Sequence, residues 1–261
     1  MSGQLELNLA FTFGLIGMGL GWKWGLSQVS GFYDSASAVK YLMFGLVLGT
    51  VYALFSDVLV LRDYLAFMRG EQELVIMNFI IAVLLSISTS LLIMLLLTRK
   101  NLLSSKSGAT SGWSLGLGVG AMFSARFSYL SLDYYGIMPS ILIQVILFVV
   151  MLPLFEGALC SYQGSLSSKG FRFKSSFIAS GGRFFFLMML PAIFSLLIWW
   201  VVLIPIIMIL YRKSIVDWIP GSMTQEAKRR YRRIMADNIR RNKERQIVDG
   251  NTGNLTASSE E

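Results

Sequence analysis

Four ionisable side chains stand inside otherwise apolar stretches of this 261-residue chain: Asp57, Arg126, Glu156 and Arg183. Hydrocarbon holds such groups only at a cost, so each is a candidate for function or for a buried pair. Asp57 and Arg126 lie near the ends of two runs that finish on the same side of a membrane, which makes them partners. Asp57 is only about a turn from the end of its run, so snorkelling to the interface competes with that pairing. Glu156, three residues after Pro153, faces the opposite leaflet, where Arg183 at the start of the next run can reach it. An unpaired Glu156 would be a neutral donor or a proton carrier.

The other chemistry is narrow. The chain has no histidine and one cysteine, Cys160, which removes Ser-His-Asp and Cys-His catalysis, intrachain disulfides and zinc sites built on His or Cys. A hydrolase built on carboxylates alone would need Asp57 and Glu156 close together with separated proton affinities. Their placement toward opposite leaflets argues against that. No acidic cluster suggests a metal, no cofactor is expected, and Cys160 reads as a small apolar filler.

The elements that carry these residues are membrane spans. Hydrophobic residues make up 54% of the chain, charged residues 15%, and the mean hydropathy is +0.61, which is too apolar for a soluble domain. A bilayer core of about 30 Å takes about 20 apolar helical residues. Six runs qualify, near Leu5 to Gly21, Tyr41 to Leu61, Leu74 to Leu97, Trp113 to Leu132, Ile137 to Tyr162 and Phe184 to Tyr211. The start, Met1 to Glu6, has no basic segment of a cleaved signal peptide. Backbone groups in lipid must bond within their own segment, and the alternation of a barrel is missing. The expected fold is an all-α integral membrane protein, a bundle of about six transmembrane helices. Pro139, Pro153, Pro191 and Pro205 fall in or beside the last two runs, where they should kink the helices.

Small residues recur every four positions at Gly108, Gly112, Gly116, Gly120, Ser124 and Ser128, and again at Gly45, Gly49 and Ala53, with Asp57 continuing that row. On a helix these form faces that let another helix approach closely.

Beyond residue 211 the composition changes. Residues 1–211 hold 12 basic and 8 acidic groups as the polytopic domain, and residues 212–261 hold 11 and 7. A turn at Pro220-Gly221 and a capping box from Ser222 to Gln225 lead into a helix over 212–247 as a domain, with residues 248–261 a disordered tail. Tyr231, Ile234, Met235 and Ile239 form a narrow stripe flanked by Arg229, Arg230, Arg232, Arg233, Arg240 and Arg241. This helix suits an anionic lipid surface, or simply a solvated face that fixes topology; nucleic acid is not an expected partner. Asn254-Leu-Thr256 fits a glycosylation acceptor only if the tail lies outside. The positive-inside rule puts the basic tail, and with six spans the N-terminus, in the cytoplasm of a multi-pass cell-membrane protein. That arrangement leaves Arg62 and Arg69 inside and nine loop cations outside, so loops and tail conflict. Either one span is miscounted, or the stretch from Lys169 to Arg183 lies in the interface.

The run Gly108 to Gly120 resembles the glycine-rich helix of PrsW-type intramembrane metalloproteases. There a Glu-Asn pair follows, which here falls on Phe123 and Ser124, or on Ala125 and Arg126. Pro153-Leu-Phe-Glu156 followed by Gly164 is similar to the segment that carries a histidine in that family, with Glu156 in its place. Pro191-Ala-Ile-Phe-Ser195 is similar to the last helix, with Ser195 at the second histidine; Glu71-Gln-Glu73 has the wrong spacing for the double glutamate. The resemblance implies a helical bundle of that kind without its metal chemistry. Three functions follow: a non-catalytic pseudoprotease or scaffold that binds other membrane segments, or itself, through its small-residue faces; a transporter or channel lined by Asp57, Arg126 and Glu156; and a protease with an atypical carboxylate site.

Overall fold

In a computed structural model, residues 2–71, 73, 76–237 and 240–241 are described. The chain divides into two units, Met1–Ser222 and Met223–Glu261. Within the first, the helices are α1 (Ser2–Leu26), α2 (Ser35–Ser56), α3 (Arg62–Met68), α4 (Ile76–Leu97), α5 (Lys100–Ser105), α6 (Gly108–Tyr135), α7 (Pro139–Ser168), α8 (Arg172–Ser195), α9 (Trp200–Lys213) and α10 (Ile219–Ser222). A π turn, Asp57–Leu61, joins α2 to α3, and a second, Ser214–Trp218, joins α9 to α10. No strand occurs among the described residues. The fold is an all-α bundle with six helices long and apolar enough to cross a membrane: Gln4–Leu26, Ser35–Phe67, Ile76–Leu97, Pro139–Ser168, Arg172–Ser195 and Leu197–Ser222.

These six are not the six expected from sequence. The expected run from Phe184 to Tyr211 is two helices, because the chain turns back at Leu196, whose backbone is extended (φ −142°, ψ 121°), and at the short 3-10 turn Leu197–Trp199. Residues 169–183 do not lie apart as an interfacial segment, since α8 already begins at Arg172. The expected run from Trp113 to Leu132 lies within α6, which is as long as the others but not among the six. Its glycines and serines reduce its apolarity, and nearly its whole length is buried instead.

Helices α1, α2 and α7 pack on α6, and α4, α8 and α9 pack around them. Along α1, Gly14 meets Ala121, Gly21 meets Leu117 and Gly25 meets Trp113, so α1 runs antiparallel to α6. Along α2, Gly45 meets Leu115, Gly49 meets Val119 and Tyr52 stacks on Phe123, so α2 runs parallel to it. Helix α7 runs antiparallel, with Gly108 against Gly164 and Gly120 against Leu152. Gly136 ends α6 with φ 71°, a conformation that favours glycine, and Pro139 opens α7 at its first turn, so the two are joined by a short connection. Helix α8 descends beside α7, with Phe155 on Phe186 and Phe148 on Phe194. Helix α9 then climbs again, since Trp200 meets Phe148 and Trp218 meets Tyr162. Pro153, Pro191 and Pro205 stand inside α7, α8 and α9, each helix continuing through them.

With α6 included, seven long helical segments alternate in direction, so the two ends of the unit differ in charge. Connections 27–34, 98–107 and 169–171 and the end of α10 lie at one end of the unit. Lys23, Lys40, Arg99, Lys100, Lys106, Lys169, Arg172, Lys174, Arg212 and Lys213 stand toward that end, whereas among the described residues Arg62 and Arg69 stand toward the other, with Arg126 bound to Asp57 beside them. The first unit also runs past Tyr211 to Ser222, because Ile215 and Ile219 remain buried. Pro220 and Gly221 are helical, not a free turn.

The second unit is helical over 225–237 and at 240–241. Its cap is Thr224, not Ser222: Thr224 Oγ1 accepts from Ala227 N at 3.3 Å, while Ser222 Oγ donates back to Ile219 O. Ile239, the end of the expected helix to 247, the tail 248–261 and Asn254 lie outside the described residues.

Candidate functional site

Helix α7 sets Glu156, Cys160 and Gln163 on one face, at positions i, i+4 and i+7. Arg183 of α8 reaches across to all three, and to Ser90 of α4. Its Nε donates to Glu156 Oε1 at 3.2 Å and Oε2 at 3.1 Å, and its Nη2 donates to Oε2 at 2.7 Å. Nη1 donates to Ser90 Oγ at 2.8 Å and to Gln163 Oε1 at 3.2 Å, and Nη2 reaches Cys160 Sγ at 3.1 Å. Gln163 Nε2 then donates to Ser90 O at 3.1 Å. Arg183 is 0% exposed and Glu156 3%. A guanidinium has five N–H donors in a planar fork, and this site meets each of its nitrogens with an acceptor. The cluster therefore clamps α4, α7 and α8 together, with both Glu156 oxygens accepting from Arg183. The pair itself follows from neighbouring runs in sequence. Cys160 and Gln163 carry a signal too, polar groups one and two turns from Glu156, whereas Ser90 has none.

The second cluster lies nearer the sparsely charged end. Arg126 Nε donates to Asp57 Oδ2 at 3.1 Å and Nη2 makes a closer ion pair with the same oxygen. Arg62 Nε stands 3.5 Å from Asp57 Oδ1. Five residues of ordinary α-helix would turn Arg62 well away from Asp57; the π turn, in which Arg62 N–H bonds to Asp57 O, stacks one above the other. Sequence reasoning missed Arg62 because a π turn has no composition of its own. Asp57 does not snorkel: its helix continues to Phe67, and Asp57 is 1% exposed. Arg126 keeps 24% of its side chain exposed and lies 5.7 Å from the centre of the Tyr129 ring.

The two carboxylates stand at different depths. Glu156 lies at the level of Gly116 and Asp57 at that of Arg126, ten residues along α6, hence about 15 Å apart along the axis. That separation excludes a shared-proton dyad. Positions that correspond to the PrsW motif are also spread out. Phe123 is buried between aromatic rings, Ser124 Oγ donates to Ala121 O, and Ser195 Oγ donates to Pro191 O at the far end of α8 from Arg183. No group of three metal-ligating side chains occurs among the described residues.

The small-residue faces are spent inside the bundle. Gly45 and Gly49 lie on the backbone of α6, and Gly108, Gly112, Gly116 and Gly120 lie on the backbone of α7 at Gly164, Cys160, Glu156 and Leu152. A docking face for another membrane segment cannot be made of them. In the second unit Arg229, Arg230, Arg232, Arg233, Arg240 and Arg241 are all exposed, Tyr231 is buried and Ile234 is 41% exposed. No family model, curated protein or solved structure matches this chain.

Proposed function

We propose that this chain is a non-catalytic membrane scaffold that holds a basic helix at the cytoplasmic surface, where it engages anionic lipid. One observation carries the reading: both intramembrane carboxylates are bound by arginines, while six exposed arginines stand within the segment 225–241. The chain joins that segment at the end of the bundle that carries ten cations against two. The positive-inside rule makes that end cytoplasmic and puts the N-terminus on the other side. Each cation near an anionic leaflet contributes about 1 kcal/mol, so six arginines are enough to hold the helix there at ordinary salt. In terms of the PrsW resemblance, the chain is a pseudoprotease, with Glu156 given to an internal clamp.

The test uses the full chain in lipid nanodiscs, with an environment-sensitive dye on A236C; the native Cys160 is buried. The dye should shift blue in discs that contain phosphatidylserine, and the shift should vanish in neutral discs, at high salt, or when the arginines at 229, 230, 232 and 233 become glutamine. Equal spectra in neutral and anionic discs would sink the proposal.

A further inference from the structure

A cleft of about 210 Å³ opens on the outer surface of the bundle between α1, α2 and α6, walled by Leu7, Phe11, Leu54 and Met122, with Arg126 and Tyr129 at its polar end. We propose that it binds one long-chain carboxylate, a fatty acid, with the headgroup on Arg126 and the chain along the apolar wall. A guanidinium offers two forks to oxyanions. Asp57 takes the one formed by Nε and Nη2. The other, formed by Nη1 and the second hydrogen of Nη2, has no acceptor among the described residues, and the exposed part of Arg126 lies on the cleft. Asp57 is shared with Arg62, so the three groups together keep one positive charge at the edge of a low-dielectric space. An anion with its own hydrocarbon answers both features at once: it pairs with the open fork and replaces lipid tails on the wall. The cleft presents one guanidinium fork at the end of one apolar wall, which suits a single carboxylate carried on a single chain.

The test is binding of oleate to the full chain in maltoside micelles, read by native mass spectrometry, with oleyl alcohol as the uncharged match. Oleate should bind with about one equivalent and at least tenfold tighter than oleyl alcohol. R126Q removes the fork, and T50W fills the cleft from an exposed position on α2; each should lower oleate affinity tenfold or more. T50W touches neither ion pair, so its result stands whether or not R126Q folds. Oleyl alcohol that binds as tightly as oleate, oleate binding undiminished in T50W, or displacement of oleate by an equal concentration of phosphatidylglycerol would each overturn the assignment.

Discussion

Glu156→Ala is the sharpest probe of the bundle. It removes the carboxylate that binds Arg183 and leaves a fully buried guanidinium with three neutral partners among the described residues, Ser90, Gln163 and Cys160. Breaking one side of a buried pair costs about 3–5 kcal/mol, whereas replacing both sides with apolar residues of similar volume is near neutral or better. The single variant should therefore lose about 3–5 kcal/mol, and the double variant Glu156→Leu with Arg183→Met should recover most of it. The resulting coupling is roughly 3 kcal/mol, far above the ~0.5 kcal/mol within which independent sites add. Reversible unfolding in mixed micelles at increasing dodecyl sulfate, followed by tryptophan fluorescence, gives each free energy. If Glu156→Ala costs under about 1 kcal/mol, the clamp does not hold α4, α7 and α8 together. If the double variant is as unstable as the worse single one, shape and not charge explains the site.

The helix contacts predict an opposite pair of glycine results. Gly120→Ala would put a Cβ 2.5 Å from the backbone of Leu152 and Pro153, and should cost about 1–3 kcal/mol in the same micelle titration. Gly181→Ala meets nothing within 4 Å on the exposed side of α8 and should be neutral or stabilising by up to about 1 kcal/mol. Cysteines introduced at Ser2 and at Gln225, outside the first and last spans, should react with a membrane-impermeant maleimide from opposite sides of sealed vesicles; labelling from one side would restore an even number of passes. Asp34 caps α2 outside the spans, and donation from the Ser37 hydroxyl holds its carboxyl below the ordinary value. Its contribution is present above the ordinary carboxylate range and is lost as pH falls through the lowered value. Asp34→Asn should therefore flatten the acid side of a plot of melting temperature against pH between 3 and 7.

Much of this architecture is legible in the residues. Apolar length predicts the membrane bundle, and the four intramembrane charges stand on helices that the structure brings into contact. What sequence conceals is where the chain turns. Residues 184–211 hold one apolar run whose reversal at Leu196 to Trp199 is made of Leu, Ile and Trp, with no Gly, Asn or charge to mark it. Hydropathy reads such a run as one span, and with the tail held on one side a missed reversal moves every earlier loop to the other. The glycine ladders show the opposite limit: spacing announces a close helix contact and says nothing of whether the partner is inside the chain or outside it. Arg126 is legible as a charge, but its open fork depends on how Asp57 approaches, which only geometry fixes.

The burial of α6 bears on how this protein is made. The helix at the centre is the one whose own composition least favours hydrocarbon, with six glycines and serines along its first eleven residues and an arginine further on. During synthesis α6 leaves the ribosome after α1 and α2 but before α7, so half of its polar surface waits for a partner not yet translated. Its entry into the bilayer must be helped by the glycine faces of α1 and α2, which are already there to cover it. Stalled chains that end before α7 should hold α6 in the membrane only when Gly45 and Gly49 are intact, so that the order of translation becomes part of the folding code.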